Sequence, residues 1–199
     1  MELEYKFFVS EKEAMAILNK VEESYDTGEM ELIAMTAKYF DTEDFSLRKR
    51  GIAIRRRKEN HDEVATIKWN GRVDKGMHIR EEVNVPMIDV FPLDSHCFVG
   101  TKAEGLITDK EFGELKAFLT MNFRRVQFTV NLDNARCMMS YDMGTILGNE
   151  KEIPISEIEI ELLEGDGSKL MELEADLRKK FGMKAAEKSK FEQGLSLYF

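Results

Sequence analysis

The feature that most constrains the fold is a charge pattern with a period of two. An extended strand at Glu2-Leu3-Glu4-Tyr5-Lys6-Phe7 puts Glu2, Glu4 and Lys6 on one face and Leu3, Tyr5 and Phe7 on the other. The pattern recurs along the chain. From Gly51 to Lys58, Ala53, Arg55 and Arg57 oppose Ile52, Ile54 and Arg56; from Glu63 to Trp69, Val64, Thr66 and Lys68 oppose Ala65, Ile67 and Trp69. His78 to Val85 groups Arg80, Glu82 and Asn84, Phe123 to Leu132 carries Arg125 with Gln127, and Arg136 to Met143 carries Asp142. Ile155 to Leu163 sets Glu157, Glu159 and Glu161 against Ile158, Ile160 and Leu162. Any one of these strands reads as half-exposed, with solvated charges.

The helices alter that reading. Ser10-Glu11-Lys12-Glu13 is a capping box ahead of a stripe of Ala14, Ile17, Leu18 and Val21, with an end expected near Gly28. A second box, Thr108 to Glu111, predicts a helix with Phe112, Leu115, Phe118 and Leu119 on its stripe. A third helix is expected from Ser168, with Leu170, Leu173, Leu177 and Phe181 apolar and Gly182 closing it, and a short fourth at Ser189 to Glu192. Ala37 to Thr42 reads as a short strand entering a turn, and Gly71 to Gly76 as a turn. Pro86 is expected to end a strand, Pro86 to Gly105 to be an irregular connection, and Gly148 to Pro154 to link the last two strands. About eight strands and four helices in mixed order suggest an α+β fold dominated by an antiparallel sheet. Amphipathic helices need an apolar surface, and the apolar strand backs are the one available. The charged faces then turn toward one another. About eight strands suffice for a closed eight-stranded antiparallel β-barrel with helices packed outside. A lining acidic on one wall and basic on another calls for a ligand that brings both anionic oxygens and cations, such as a metal-bound polyphosphate.

Composition limits the alternatives. A chain of 199 residues is expected to form one domain with a sizeable core, and a formal net charge of −9 argues against a general nucleic-acid binder. No apolar run reaches the length of a membrane span, and no apolar signal segment opens the chain, so a cytoplasmic protein is expected. Cys97 and Cys137 read as reduced thiols, and His61, His78 and His96 form no zinc-ligand spacing.

The ordered motifs resemble the CYTH superfamily, the triphosphate tunnel metalloenzymes, over nearly the whole chain. They are E-x-E-x-K at Glu2, Glu4 and Lys6, Tyr39 to Thr42 followed by Leu47, and Ile54 to Arg57. Thr66 with Lys68, Arg80 with Glu82, Arg125, Asp142 with Gly144, Glu157 to Glu161, and Ser189 to Phe191 complete the order. The resemblance implies a single CYTH domain over residues 1–199, an eight-stranded barrel around a hydrophilic tunnel, and a divalent-metal-dependent hydrolase removing the terminal phosphate of a triphosphate. Inorganic triphosphate is the favoured small-molecule substrate, as in the bacterial-type inorganic triphosphatases. A thiamine triphosphatase, a class IV-type adenylate cyclase and a non-catalytic polyphosphate- or nucleotide-binding module are the alternatives. Glu2, Glu4, Glu159 and Glu161 look like ligands for Mg²⁺ or Mn²⁺, with Glu157 and Asp142 as further candidates. Lys6, Arg55, Arg57, Lys68, Arg80, Arg125 and Lys190 look like the phosphate cradle. Glu4, Lys6, Asp142 and Glu159 are the expected catalytic set. Dimers occur in the family, so a homodimer stays open.

Overall fold

The computed structural model describes residues 1–87 and 92–199. The chain opens with strand β1 (Glu2–Phe8), helix α1 (Glu11–Ser24), and strands β2 (Asp26–Thr27) and β3 (Glu31–Asp41). Helix α2 (Ser46–Lys49) leads into β4 (Ala53–Glu59), β5 (Asp62–Asp74) and β6 (Met77–Met87). After a 3₁₀ turn at Ser95–Phe98 and helix α3 (Asp109–Glu114) come β7 (Lys116–Leu132), β8 (Ala135–Gly148) and β9 (Lys151–Gly165). Helix α4 (Gly167–Phe181), strand β10 (Lys184–Ala185) and helix α5 (Lys190–Leu195) complete the order.

Eight strands form a ring in the order β1-β6-β5-β4-β3-β7-β8-β9, and β9 pairs back onto β1. Every pairing is antiparallel, so the barrel is closed, while β2 and β10 add short flanking pairs to β7 and β1. Closure puts both edges of β1 to use and leaves the ring without a free edge.

The apolar strand backs carry the helices. Ala14, Ile17, Leu18 and Val21 of α1 and Leu170, Leu173 and Leu177 of α4 pack with Phe7, Phe128, Met139, Ile158 and Ile160. Each fully buried Leu or Ile here contributes about 1.5–3 kcal/mol. A second outer cluster joins Leu47 of α2, Ile54, Ile67, Phe98 and Ile107, with Phe112 of α3 against it. All three capping boxes form, at Ser10 with Glu13, Thr108 with Glu111, and Ser189 with Glu192. Among the described residues no helix is long and apolar enough to cross a membrane.

Several boundaries differ from expectation. Phe118 and Leu119 lie on β7 rather than α3, because that segment has strand partners on both sides, β3 and β8. Burial at Leu119, Met121 and Phe123 then follows period two. The first helix ends at Ser24, before Gly28, and β3 begins at Glu31. The Gly71–Gly76 turn shrinks to Lys75 and Gly76, both left-handed (φ 50° and 86°), with β5 running on past a bulge after Trp69. The Gly148–Pro154 link shrinks to Asn149 and Glu150, also left-handed, so Pro154 sits inside β9. Pro86 does not end β6 but pairs opposite Val64, one position before the described strand stops. The expected irregular stretch after Pro86 includes residues 88–91, which lie outside the described residues, and the 3₁₀ turn. Helix α2 is an addition to the four expected helices and joins the outer layer through Leu47, whereas α5 departs from that layer and reaches the barrel interior.

Candidate active site

The inward faces of the strands enclose a cavity of about 190 Å³. Glu2, Glu4 and Lys6 enter it from β1, Arg55 and Arg57 from β4, Lys68 from β5, Arg80 from β6, Arg125 from β7, and Glu159 and Glu161 from β9. Lys190 arrives from α5. Strand register explains the grouping. Glu4 pairs opposite Glu161, Lys6 opposite Glu159, Glu2 opposite Arg80, and Lys68 opposite Glu82. Asp142 and Glu157 pair with each other on β8 and β9 and lie behind this lining. Arg56 and Arg124, of opposite parity, are not part of the lining, and Arg56 pairs with Glu63.

On the acidic side three of the four carboxylates already hold cations. Lys6 bridges Glu4 (2.7 Å) and Glu159, and Arg80 bridges Glu2 and Glu4. Lys68 lies 3.1 Å from Glu2. Glu159 also meets Arg125 at 2.6 Å and Lys190 at 2.8 Å. Burial opposes ionisation of Glu2 and Glu159, yet Lys68 and Arg80 for the first, and Lys190 and Lys6 for the second, hold them below the usual carboxylate range. Glu161 is the exception. Among the described residues it has no ion-pair partner, and burial together with the Glu2 and Glu4 carboxylates pushes it up to about 7. Four inward carboxylates, one of them without an ion-pair partner among the described residues, are a hard-oxygen donor set that a divalent cation fits.

A second group, Asp142, Glu157 and Glu159, brings carboxylate oxygens within 4.8 Å of one another. Its centre is taken by the Lys190 ammonium, bonded to Asp142 (2.7 Å), Glu157 and Glu159 (2.8 Å). Asp142 also grips Arg125 through both oxygens, each at 2.7 Å. These two acids therefore hold cradle cations in place from behind.

On the basic side Arg57 pairs with Glu59 and Lys68 with Glu82, while Arg55 is left without a close carboxylate. Arg55 has only distant partners, the Tyr39 hydroxyl at 3.5 Å and Glu82 at 3.9 Å. The Nε–H groups of Arg55 and Arg57 are buried with no acceptor. Burial, then the charge of Arg55, pushes Arg57 down to about 10. Lys68 is likewise lowered by burial and by Arg80 and Arg55. Unmatched buried donors and repelling cations make an anion seat.

Lys190 enters the cavity as the Ser189–Phe191 motif implied, and two further features were not read from the sequence. The first is that α5 itself forms a wall, with Phe191 4.9 Å from Tyr39 ring to ring. The available signal was Gly194. A Cβ there would come within 2.4 Å of Leu119, so glycine is what lets α5 approach the barrel this closely. The second is Phe123, whose ring faces the Arg125 and Lys190 cations at 6.0 and 5.8 Å.

Residues 1–195 match the CYTH domain. The chain belongs to the CYTH family. Over 130 residues it is 31% identical to the inorganic triphosphatase of Haemophilus influenzae, an overlap of 64% of this chain and 36% of that protein. The chain thus matches little more than a third of that relative's length. Among solved structures, HpAC1 from Hippeastrum, described as having a dominant triphosphatase activity, superposes with a TM-score of 0.69 at 16% identity, covering 98% of this chain and 96% of its own. The PH1819 protein of Pyrococcus horikoshii superposes with a TM-score of 0.61 at 20% identity, covering 98% and 99%. At these identities the structural matches speak for the CYTH barrel.

Proposed function

We propose that this CYTH barrel hydrolyses the terminal phosphate of a triphosphate, with inorganic triphosphate the preferred substrate and Mg²⁺ or Mn²⁺ the cofactor. One observation carries the reading: inside one closed ring of strands, an acidic wall with an unpaired carboxylate shares a cavity with a basic wall that has unpaired guanidinium donors. Naked polyphosphate would match only the second wall. The Haemophilus relative supports the choice of inorganic triphosphate, and the small lumen suits a linear anion.

Glu2, Glu4, Glu159 and Glu161 would hold the cation. A divalent ion there supplies positive charge beside the phosphoryl oxygens and acidifies water. Arg55, Arg57, Lys68, Arg80 and Arg125 bind the phosphate oxygens and fix the terminal phosphorus for in-line attack by water. As the bridging P–O bond breaks, negative charge grows on the departing pyrophosphate, and the buried arginines stabilise it where no bulk water screens them. Lys6, which bonds Glu4 and Glu159, lines the same cavity and would add its positive charge to the phosphate contacts. Asp142 and Glu157 act as positioning residues for Arg125 and Lys190. Residues 1–199 work as one unit in this reading, in the cytoplasm.

The test is phosphate release by the purified chain from inorganic triphosphate, ATP and thiamine triphosphate, with Mg²⁺ and with Mn²⁺, beside Glu4→Ala. Release from inorganic triphosphate that Glu4→Ala abolishes supports the proposal. Cyclic AMP from ATP without orthophosphate release would replace it with a cyclase, and binding without turnover of any substrate would replace it with a polyphosphate-binding module.

A further inference from the structure

A second, larger cavity of about 550 Å³ adjoins the first. The two share five lining residues, Ala53, Lys68, Arg80, Ser189 and Phe191, so the outer one is a vestibule to the inner. Five cations line it: Arg48, Arg50, Lys68, Arg72 and Arg80. The single lining carboxylate, Glu192, is committed to its capping box, where it accepts from the Ser189 backbone N–H at 2.7 Å. Lys68 and Arg80 are paired with Glu2, Glu4 and Glu82 on the inner side, so the positive charge open to a ligand is that of the arginines at the mouth. Arg50 is engaged with Glu111 (2.6 Å) and the Leu106 carbonyl (3.0 Å), and Arg48 lies over the Phe199 ring at 4.0 Å. Arg72 is exposed and, among the described residues, has no anionic partner. It stands where β5 resumes after its bulge, just past Asn70 in a left-handed conformation (φ 53°).

We propose that the vestibule receives the trailing phosphates of linear polyphosphates longer than three units, with Arg72 and Arg48 as chain-length-determining residues. This rests on the triphosphatase reading for the chemistry but not for the binding. The inner cavity holds the reacting end, the shared Lys68 and Arg80 sit at the junction, and Arg72 and Arg48 meet the phosphates beyond it. The lining also includes Ile52, Trp69 and Phe191, but its charged groups are nearly all cations, and each further phosphate of an inorganic chain adds an anion for them to meet where a nucleoside adds none. In each turnover one water oxygen bonds to the terminal phosphorus and one bridging P–O bond breaks. The products are orthophosphate and a chain one unit shorter.

The experiment uses the full chain with Mg²⁺, measuring calorimetric affinity and phosphate release for triphosphate, tetraphosphate and ATP. The variants are Arg72→Ala, Arg72→Lys and Arg48→Gln. Wild type is expected to bind tetraphosphate more tightly than triphosphate. Arg72→Ala should lose about tenfold in affinity and kcat/KM for tetraphosphate, the size of one lost charged contact, with triphosphate changed less than twofold. Arg72→Lys should recover part of the loss, and Arg48→Gln should repeat it more weakly. Equal effects on both phosphates, no effect on either, or an Arg72 dependence confined to ATP would each overturn the proposal. A wild type that releases no phosphate would remove the hydrolase reading alone, since the affinities still decide whether the vestibule reads chain length.

Discussion

Glu161 is the carboxylate of the acidic wall without an ion-pair partner among the described residues, and the repulsion of Glu2 and Glu4 outweighs the attraction of Lys68. Glu2, Glu4 and Glu159 each sit against at least two cations. Removing the Glu161 charge therefore relieves repulsion in the metal-free protein and removes a ligand from the metal-bound one. Glu161→Gln is expected to leave the melting temperature without metal unchanged or higher. It should also abolish the rise that Mg²⁺ produces in wild type, with metal affinity falling roughly tenfold or more. Thermal melts with and without Mg²⁺ measure both. A variant that melts lower without metal and still responds to Mg²⁺ would show that Glu161 is a structural group rather than a ligand.

Among the elements, α1 and α4 are tied together by one side-chain contact. Tyr25 caps the end of α1 and donates its hydroxyl to Asp176 of α4, with the Lys180 ammonium 5.6 Å from its ring. Burial, then that hydrogen bond, pushes the phenol up to about 12, from about 10 in a free tyrosine. The folded state thus keeps its proton longer than the unfolded one. The stabilisation from this contact is complete below pH 10 and is lost as the pH rises toward 12. The stability difference between wild type and Tyr25→Phe should be constant from pH 7 to 9 and close between 10 and 12. Urea denaturation across that range measures it, and a gap that persists at pH 12 would mean the hydroxyl's proton is not what joins the helices. Helix α5 illustrates the opposite situation. Its capping box is plain in Ser189 to Glu192, but its placement depends on Gly194 meeting Leu119 and Ile146, which are distant in sequence.

On the scale of the whole molecule, the first strand is the seam. It pairs with β6 through Glu2 to Tyr5 and with β9 through Glu4 to Phe8, closing the ring. It also supplies three lining charges and the buried Tyr5 and Phe7. Deleting residues 1–8 would leave two bare strand edges, strip Arg80 of both its carboxylate partners, and take one partner each from Glu159 and Lys68. Such a chain is expected to show no cooperative thermal transition by circular dichroism. A wild-type-like melt would mean that the barrel holds without its closing strand.

The period-two faces and the three capped helix starts are legible in the amino-acid sequence, because these depend on residues two to four positions apart. Arg55 and Arg57, or Glu157, Glu159 and Glu161, announce a shared face to anyone counting by two. Only the tertiary structure decided which charges meet. Lys190 sits among Asp142, Glu157 and Glu159, and Glu161 is left without an ion-pair partner among the described residues, through pairings that span the chain and appear in no local window. The same holds for Phe118 and Leu119, whose spacing fits a helix or a strand equally well. Backbone partners on both sides of β7, on β3 and β8, chose the strand, since a segment between two strands satisfies all its N–H and C=O groups only by joining them.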